Sequence, residues 1–177
     1  MKIFDNVVNK KNSKQLEDFL LNDNFPWFFV EKSSGKSQEI AGFNDTVQFE
    51  HHFIRDSQIT SQAIHQVMYL IDWDNVVKET KVSSSIFRMK SNLLLKTQSG
   101  PNTPHIDLSD PHTVLLYYVN DSSGPTIFYD ENLKVVNEVS PKKGRIVVFD
   151  GSIYHSSSPP QINSHRCVIN FNLKPNT

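Results

Sequence analysis

Beyond residue 80 the chain falls into short apolar runs, broken at near-regular intervals by turn residues. The runs cover 86–97, 104–107, 113–120, 126–129, 133–139, 145–149, 153–155 and 166–173. The breaks between them include Ser99-Gly100-Pro101-Asn102, Asp110-Pro111, Asp121-Ser122-Ser123-Gly124-Pro125, Pro141-Lys142-Lys143-Gly144 and Asp150-Gly151. Short strands at such spacing predict an all-β sandwich or barrel. The first half is mixed. Ser13 can cap a short helix reaching about Leu21, with Leu16, Phe19 and Leu20 on one face. Residues 25–30 read as a buried strand or its approach, and 31–37, rich in Lys, Ser and Gly, as a loop. From Gln58 to Ile71, apolar residues at Ile59, Ala63, Ile64, Val67, Met68 and Ile71 recur at helical spacing, and Asp72-Trp73-Asp74 reads as a helix-end turn. The pattern predicts one domain over 1–177: a mixed, helical support region over 1–85, and a core over 86–173 that is a double-stranded β-helix, or jelly roll. The fold class is mostly β with flanking helices.

Composition agrees with a folded chain. The hydrophobic share is 37%, with 12 Phe and 5 Tyr among 177 residues, enough to build a core. The formal charge of −1 argues against a dominant attraction to nucleic acid or to an anionic membrane. Cys167 is the single cysteine, so neither an internal disulfide nor a thiolate-rich zinc site can form, which fits a reducing compartment. The opening residues lack an apolar signal core and no apolar run is long enough to span a bilayer, so a soluble, cytoplasmic protein is expected.

Three features carry chemistry. In a strand, His105 and Asp107 would point to one face and could meet at one metal ion. Alone, the pair reads more readily as a solvent-facing hydrogen bond than as a metal site. His155, near the end of the strand series, would complete a set of two nitrogens and one carboxylate, the facial triad of non-haem iron oxygenases. Arg166 opens the last strand, where its guanidinium fork could grip a carboxylate in bidentate fashion; its bland reading is a surface salt bridge.

Taken in order, residues 113–120, Gly124-Pro125-Thr126-Ile127-Phe128, residues 141–149, His155 and Arg166 resemble the core of the 2-oxoglutarate/Fe(II) dioxygenases. The likeness covers about residues 86–173 and is greatest to the prolyl-4-hydroxylase-like branch, including small members carried by phages. The resemblance implies that His105, Asp107 and His155 bind Fe(II), and that Arg166 pairs with the distal carboxylate of 2-oxoglutarate. It also implies that Tyr118 helps to hold that carboxylate while Leu116 and Thr126 line the same pocket. Tyr118 can equally be core, with its hydroxyl bonded elsewhere. The implied reaction hydroxylates a C–H bond at the expense of 2-oxoglutarate and O₂. Asp107 argues against a halogenase, whose relatives give up that carboxylate.

Two departures stand out. The family's Gly-Gly pair is Gly124-Pro125 here, and Asn172 stands where animal relatives carry a bulky aromatic. Asn172 also occupies the position of a second Arg in the branch that demethylates nucleic-acid bases. Its absence, with the near-neutral charge, favours a peptide, protein or small-molecule substrate over nucleic acid. A non-catalytic jelly-roll binding module is the reading from a different class. His112 is a rival ligand across the Asp110-Pro111 turn; His51, His52 and His65 read as surface or packing residues. His165 should face away from Arg166. The region 31–60 could supply a strand or lid that pairs with a peptide.

Overall fold

The computed structural model describes residues 1–32, 34 and 40–175, so the loop expected over 31–37 lies mostly outside the described residues. In chain order the elements are β1 (Lys2–Phe4), α1 (Lys10–Leu20), β2 (Phe28–Val30), β3 (Gln48–Arg55), β4 (Gln58–Ile59), α2 (Ala63–Ile71), α3 (Trp73–Thr80), β5 (Ile86–Leu95), β6 (Thr113–Tyr118), β7 (Thr126–Tyr129), β8 (Val135–Val139), β9 (Ile146–Asp150), β10 (His155–Ser157) and β11 (His165–Leu173).

The strands form two antiparallel sheets. The larger has the order β1-β9-β6-β11-β5-β3-β2, with β4 hairpinned onto β3; the smaller has the order β10-β7-β8. Alternation divides the central strands between two cores. Val114, Leu116, Tyr118 and Val168 face the smaller sheet and pack with Phe128, Val139, Val147 and Phe149. Leu115, Tyr117, Ile169 and Phe171 face outward, where the helices cover them with Leu16, Leu20, Val67, Leu70 and Val76. Burial on both faces explains why 113–118 reads as an unbroken apolar run. This is the double-stranded β-helix with outer helices.

Several local expectations are corrected. Asn9, not Ser13, caps α1: its Oδ1 accepts from the Asn12 amide at 2.9 Å. Ser13 lies inside the helix, buried, where Tyr117 donates its phenolic proton to the Ser13 hydroxyl at 3.1 Å. The helix expected over 58–71 begins only at Ala63. Asp56 and Ser57 both take left-handed φ (49° and 62°), which turns β3 back into β4. Asp72 is also left-handed (φ 56°) and ends α2, but Trp73 then opens α3 and stacks on Phe171 at 5.0 Å. Within 25–30, Phe25 is buried, yet β2 is an edge strand with Phe28 63% and Phe29 60% exposed. The strand expected over 104–107 is a single bridge, His105 to His155.

Candidate active site

The smaller sheet and the segment before β6 bring the first three residues together. His105 and His155 exchange backbone hydrogen bonds, 3.0 Å each way, across the bridge between a looped segment and β10. The His105 Nδ1 proton is donated to the Thr103 carbonyl and the His155 Nδ1 proton to the Ile153 carbonyl, both at 3.0 Å. A carbonyl can only accept, so each ring is left with Nε2 as its free ligand atom. One ligand atom from each of His105, Asp107 and His155 lies within 4.8 Å of the others. His105 and Asp107 thus converge as the i, i+2 spacing anticipated, though from a loop held by His155.

Burial drives the His105 pKa down to about 4, so its imidazole is neutral near pH 7. Burial alone would raise that of Asp107. The fields of His155 and Arg88 outweigh it and hold the carboxyl well below the usual range. A neutral imidazole and an anionic carboxylate in one buried cluster suit a divalent cation of borderline softness.

Asp107 is held by residues that the sequence pattern did not single out. Arg88 Nη2 donates to Asp107 Oδ1 at 2.7 Å, and Asn170 and Asn172 donate to Oδ2 at 3.0 and 2.9 Å. Arg88 Nε also donates to Asn172 Oδ1 at 2.7 Å, closing a ring of three side chains. In register, Asn172 faces Arg88 and Asn170 faces Lys90 across β11 and β5. The signal was present as alternation: Arg88, Lys90 and Asn92 on β5, and Asn170 and Asn172 on β11, are polar residues two apart on the face turned to the site. Arg88 thus sets a guanidinium beside Asn172 from the neighbouring strand, already paired with Asp107.

Arg166 lies at the other end of the cleft, only 2% exposed. Its Nε donates to the Gly124 carbonyl and its Nη2 to Thr126 Oγ1, both at 2.8 Å, and its guanidinium sits 5.5 Å from the Tyr118 ring centre. The surface salt bridge considered for it is therefore excluded. A Cβ on Gly124 would come 2.2 Å from the Ser158 carbonyl oxygen, so only glycine lets this carbonyl reach Arg166. Leu116, Thr126, Val168 and Arg166 line the cleft together with His105, Asp107 and His155. Tyr118 does not line it. Its phenol bonds Thr126 Oγ1 at 2.6 Å and donates to the Val139 carbonyl at 3.3 Å, so it meets the pocket through Thr126 and through its ring contact with Arg166.

The other histidines fall outside the cluster. His112 donates from Nδ1 to the Asp110 carbonyl at 2.8 Å and packs on Gly151. His51 is buried between the Pro26 carbonyl (2.7 Å) and Ser61 Oγ (2.8 Å); His65 is exposed and pairs with Gln62. His52 does have a carboxylate partner, Glu50 Oε2 at 3.1 Å, on β3. Residues 43–46 strap the segment preceding His105: Thr46 donates twice to Asn102 Oδ1 (2.8 and 2.9 Å), and the Thr103 amide donates to Asp45 Oδ1 (3.0 Å).

No family model matches the chain, and no curated protein matches it in sequence. Solved structures do match over nearly the whole length. A prolyl hydroxylase from Trichoplax adhaerens, in complex with a fragment of the hypoxia inducible factor oxygen degradation domain, is 16% identical, with TM-score 0.63, covering 97% of this chain and 82% of that one. The viral collagen prolyl hydroxylase of Paramecium bursaria Chlorella virus-1, in a 2-oxoglutarate complex, is 14% identical, with TM-score 0.61, covering 99% and 96%. The fold is that of the 2-oxoglutarate/Fe(II) oxygenases. Fold likeness within this group extends beyond prolyl hydroxylases. The non-haem α-ketoglutarate-dependent epimerase SnoN of nogalamycin biosynthesis is 12% identical, with TM-score 0.68, covering 99% of this chain and 78% of that one. Among the described residues no helix is long and apolar enough to cross a membrane.

Proposed function

We propose that this chain, acting as one unit over 1–177, is a 2-oxoglutarate- and Fe(II)-dependent dioxygenase that hydroxylates a C–H bond, with a peptide or protein side chain, proline first, as substrate. The observation that carries the reading is the buried His105–Asp107–His155 cluster with both Nε2 atoms free, at one end of a cleft whose other end holds Arg166. Fe(II), when bound with 2-oxoglutarate and O₂, supplies the oxidising power, and the products are succinate, CO₂ and the hydroxylated substrate.

The protein's own residues position and shield. The carbonyls of Thr103 and Ile153 fix both imidazole tautomers, and Arg88, Asn170 and Asn172 fix the Asp107 carboxylate. Arg166, oriented by Gly124 and Thr126, presents the rest of its fork to the distal carboxylate of the cosubstrate, while Leu116 and Val168 exclude water beside it. Tyr118 acts by holding Thr126 and by setting its ring against the Arg166 guanidinium. Arg88 beside the cluster keeps base demethylation as a second reading, tested with methylated oligonucleotides. The deciding experiment measures Fe(II)-dependent succinate formation from 2-oxoglutarate, with and without proline peptides. Turnover that is lost in His155→Ala supports the assignment; absence of any iron-dependent succinate in the parent protein would leave a binding module.

A further inference from the structure

The cleft has two sides, divided by β11. β11 itself carries Arg166 and Asn170; Leu116 and Thr126 lie on one side of it, and Lys90, Asn92 and Gln48 on the other. Asn170 is 8% exposed, and its amide orientation is set by Asp107, since only the NH₂ end can face a carboxylate. Asn170 Oδ1 is therefore turned away from Asp107. It is buried and has no partner among the described residues. A bare buried acceptor is costly, and next to a candidate metal centre it calls for a ligand as its explanation.

Lys90 is the register partner of Asn170, which places the two Cβ atoms roughly 4.5–5.5 Å apart. Its ammonium is salt-bridged to Glu50 Oε1. Glu50 is also the acceptor for Gln48 (2.8 Å), Asn92 (3.1 Å) and His52 (3.1 Å). Both Glu50 oxygens are engaged and the Lys90 charge is neutralised within the protein. What remains on this register pair is an ammonium with protons beyond the one given to Glu50, and the Asn170 Oδ1 acceptor, with the charge of Lys90 already compensated.

We propose that Lys90 and Asn170 form the subsite that holds the substrate's peptide backbone, Lys90 donating to a carbonyl and Asn170 Oδ1 accepting from an N–H. This rests on the functional reading above and narrows it to peptides. In an extended chain the N–H and C=O of one residue point to the same side, as they do in a β-ladder, so a single residue can satisfy both groups. Proline has no N–H, so the residue held is a neighbour of the oxidised proline and not the proline itself. A free carboxylate would call for an uncompensated cation, which Glu50 denies it, and a free ammonium would meet Lys90 at close range.

The test uses the full-length protein with Fe(II) and 2-oxoglutarate under anaerobic conditions, titrated with acetyl-Ala-Pro-Ala-methylamide. Two analogues, in which one alanine or the other is replaced by lactate, each remove a single N–H. One analogue is expected to bind about tenfold more weakly than the peptide, as loss of one buried hydrogen bond implies. Asn170→Ser should abolish that difference, and Lys90→Met should weaken peptide and analogue alike. Equal binding of peptide and both analogues to the parent protein, a difference that survives in Asn170→Ser, tighter binding of free proline, or no binding of the capped peptide overturns the subsite. Aerobic succinate formation without peptide reports separately on the iron chemistry. A failed subsite with that turnover intact leaves the proposed reaction standing.

Discussion

At the Arg166 end of the cleft the guanidinium is oriented by protein acceptors, whereas opposite Lys90 the Asn170 Oδ1 acceptor has no partner among the described residues. Arg166 is fixed by the Gly124 carbonyl and Thr126, which is fixed in turn by Tyr118, and β7 and β8 close over that end. Lys90 on β5 and Glu50 on β3 form a shielded ion pair, and Lys90 is the register partner of Asn170. A pocket built for one invariable small anion can fix the orientation of its donors in advance. A pocket for a variable partner keeps groups in reserve, at a cost in stability. The two sides share a strand and differ in how completely their hydrogen bonds are closed.

The contrast is tested most severely at Arg166. Arg166→Ala should cut 2-oxoglutarate affinity by roughly two to three orders of magnitude, the loss of a desolvated charge pair, with little change in metal affinity; Arg166→Lys should recover part. Equilibrium titrations with each ligand check it, and an Ala variant that binds 2-oxoglutarate normally breaks the comparison. Removing the brace on Asp107 comes next. Arg88→Leu should weaken metal binding by about 10–100-fold, the range for groups that orient metal ligands, measured by competition with a chelator. Gly124→Ala should follow. A Cβ 2.2 Å from the Ser158 oxygen forces the loop away, so thermal denaturation should show a loss of about 1–3 kcal/mol, together with a raised KM for 2-oxoglutarate.

The smallest effect sharpens the other side. Burial would raise the Glu50 pKa, but the hydrogen bond from His52 and the charge of Lys90 outweigh it and bring it from 4.5 to about 2. A depressed folded-state pKa means that the contribution is present above about pH 4.5 and is lost as pH falls towards about 2. Asp5, held at about 2 chiefly by its hydrogen bond from Arg145, titrates over part of that window in any variant. Glu50→Gln should therefore flatten, without abolishing, the fall in stability between those pH values, as followed by urea denaturation. An unchanged acid limb would show that Glu50 contributes nothing to folding on this side.

The strands from β5 to β11 were legible because turn residues punctuate them and because those buried on both faces read as short apolar runs. Residues 126–129 were delimited to the residue, and His155 and Arg166 announced themselves by their place in the strand order. The N-terminal half was harder to read. In β3 the site-facing residues are Gln48, Glu50 and His52, polar and yet shielded, while His51 is buried among aromatics on the other face, so the usual apolar-in pattern is scrambled. Helical spacing over 58–71 masked a hairpin, since left-handed φ at Asp56 and Ser57 leaves no signature in periodicity.

The sequence by itself determined the chemistry available: which donors exist and in what order along the chain. Tertiary structure alone decided which groups act on those donors. Arg88 reaches Asn172 through strand register and Asp107 beyond it, Lys90 meets Glu50 across β5 and β3, and Tyr118 bonds Thr126 with its ring against Arg166. Spacing rules hold within an element, where backbone geometry fixes the distance between residues. Between strands the distance depends on register, and register is settled only when the whole sheet buries its faces together.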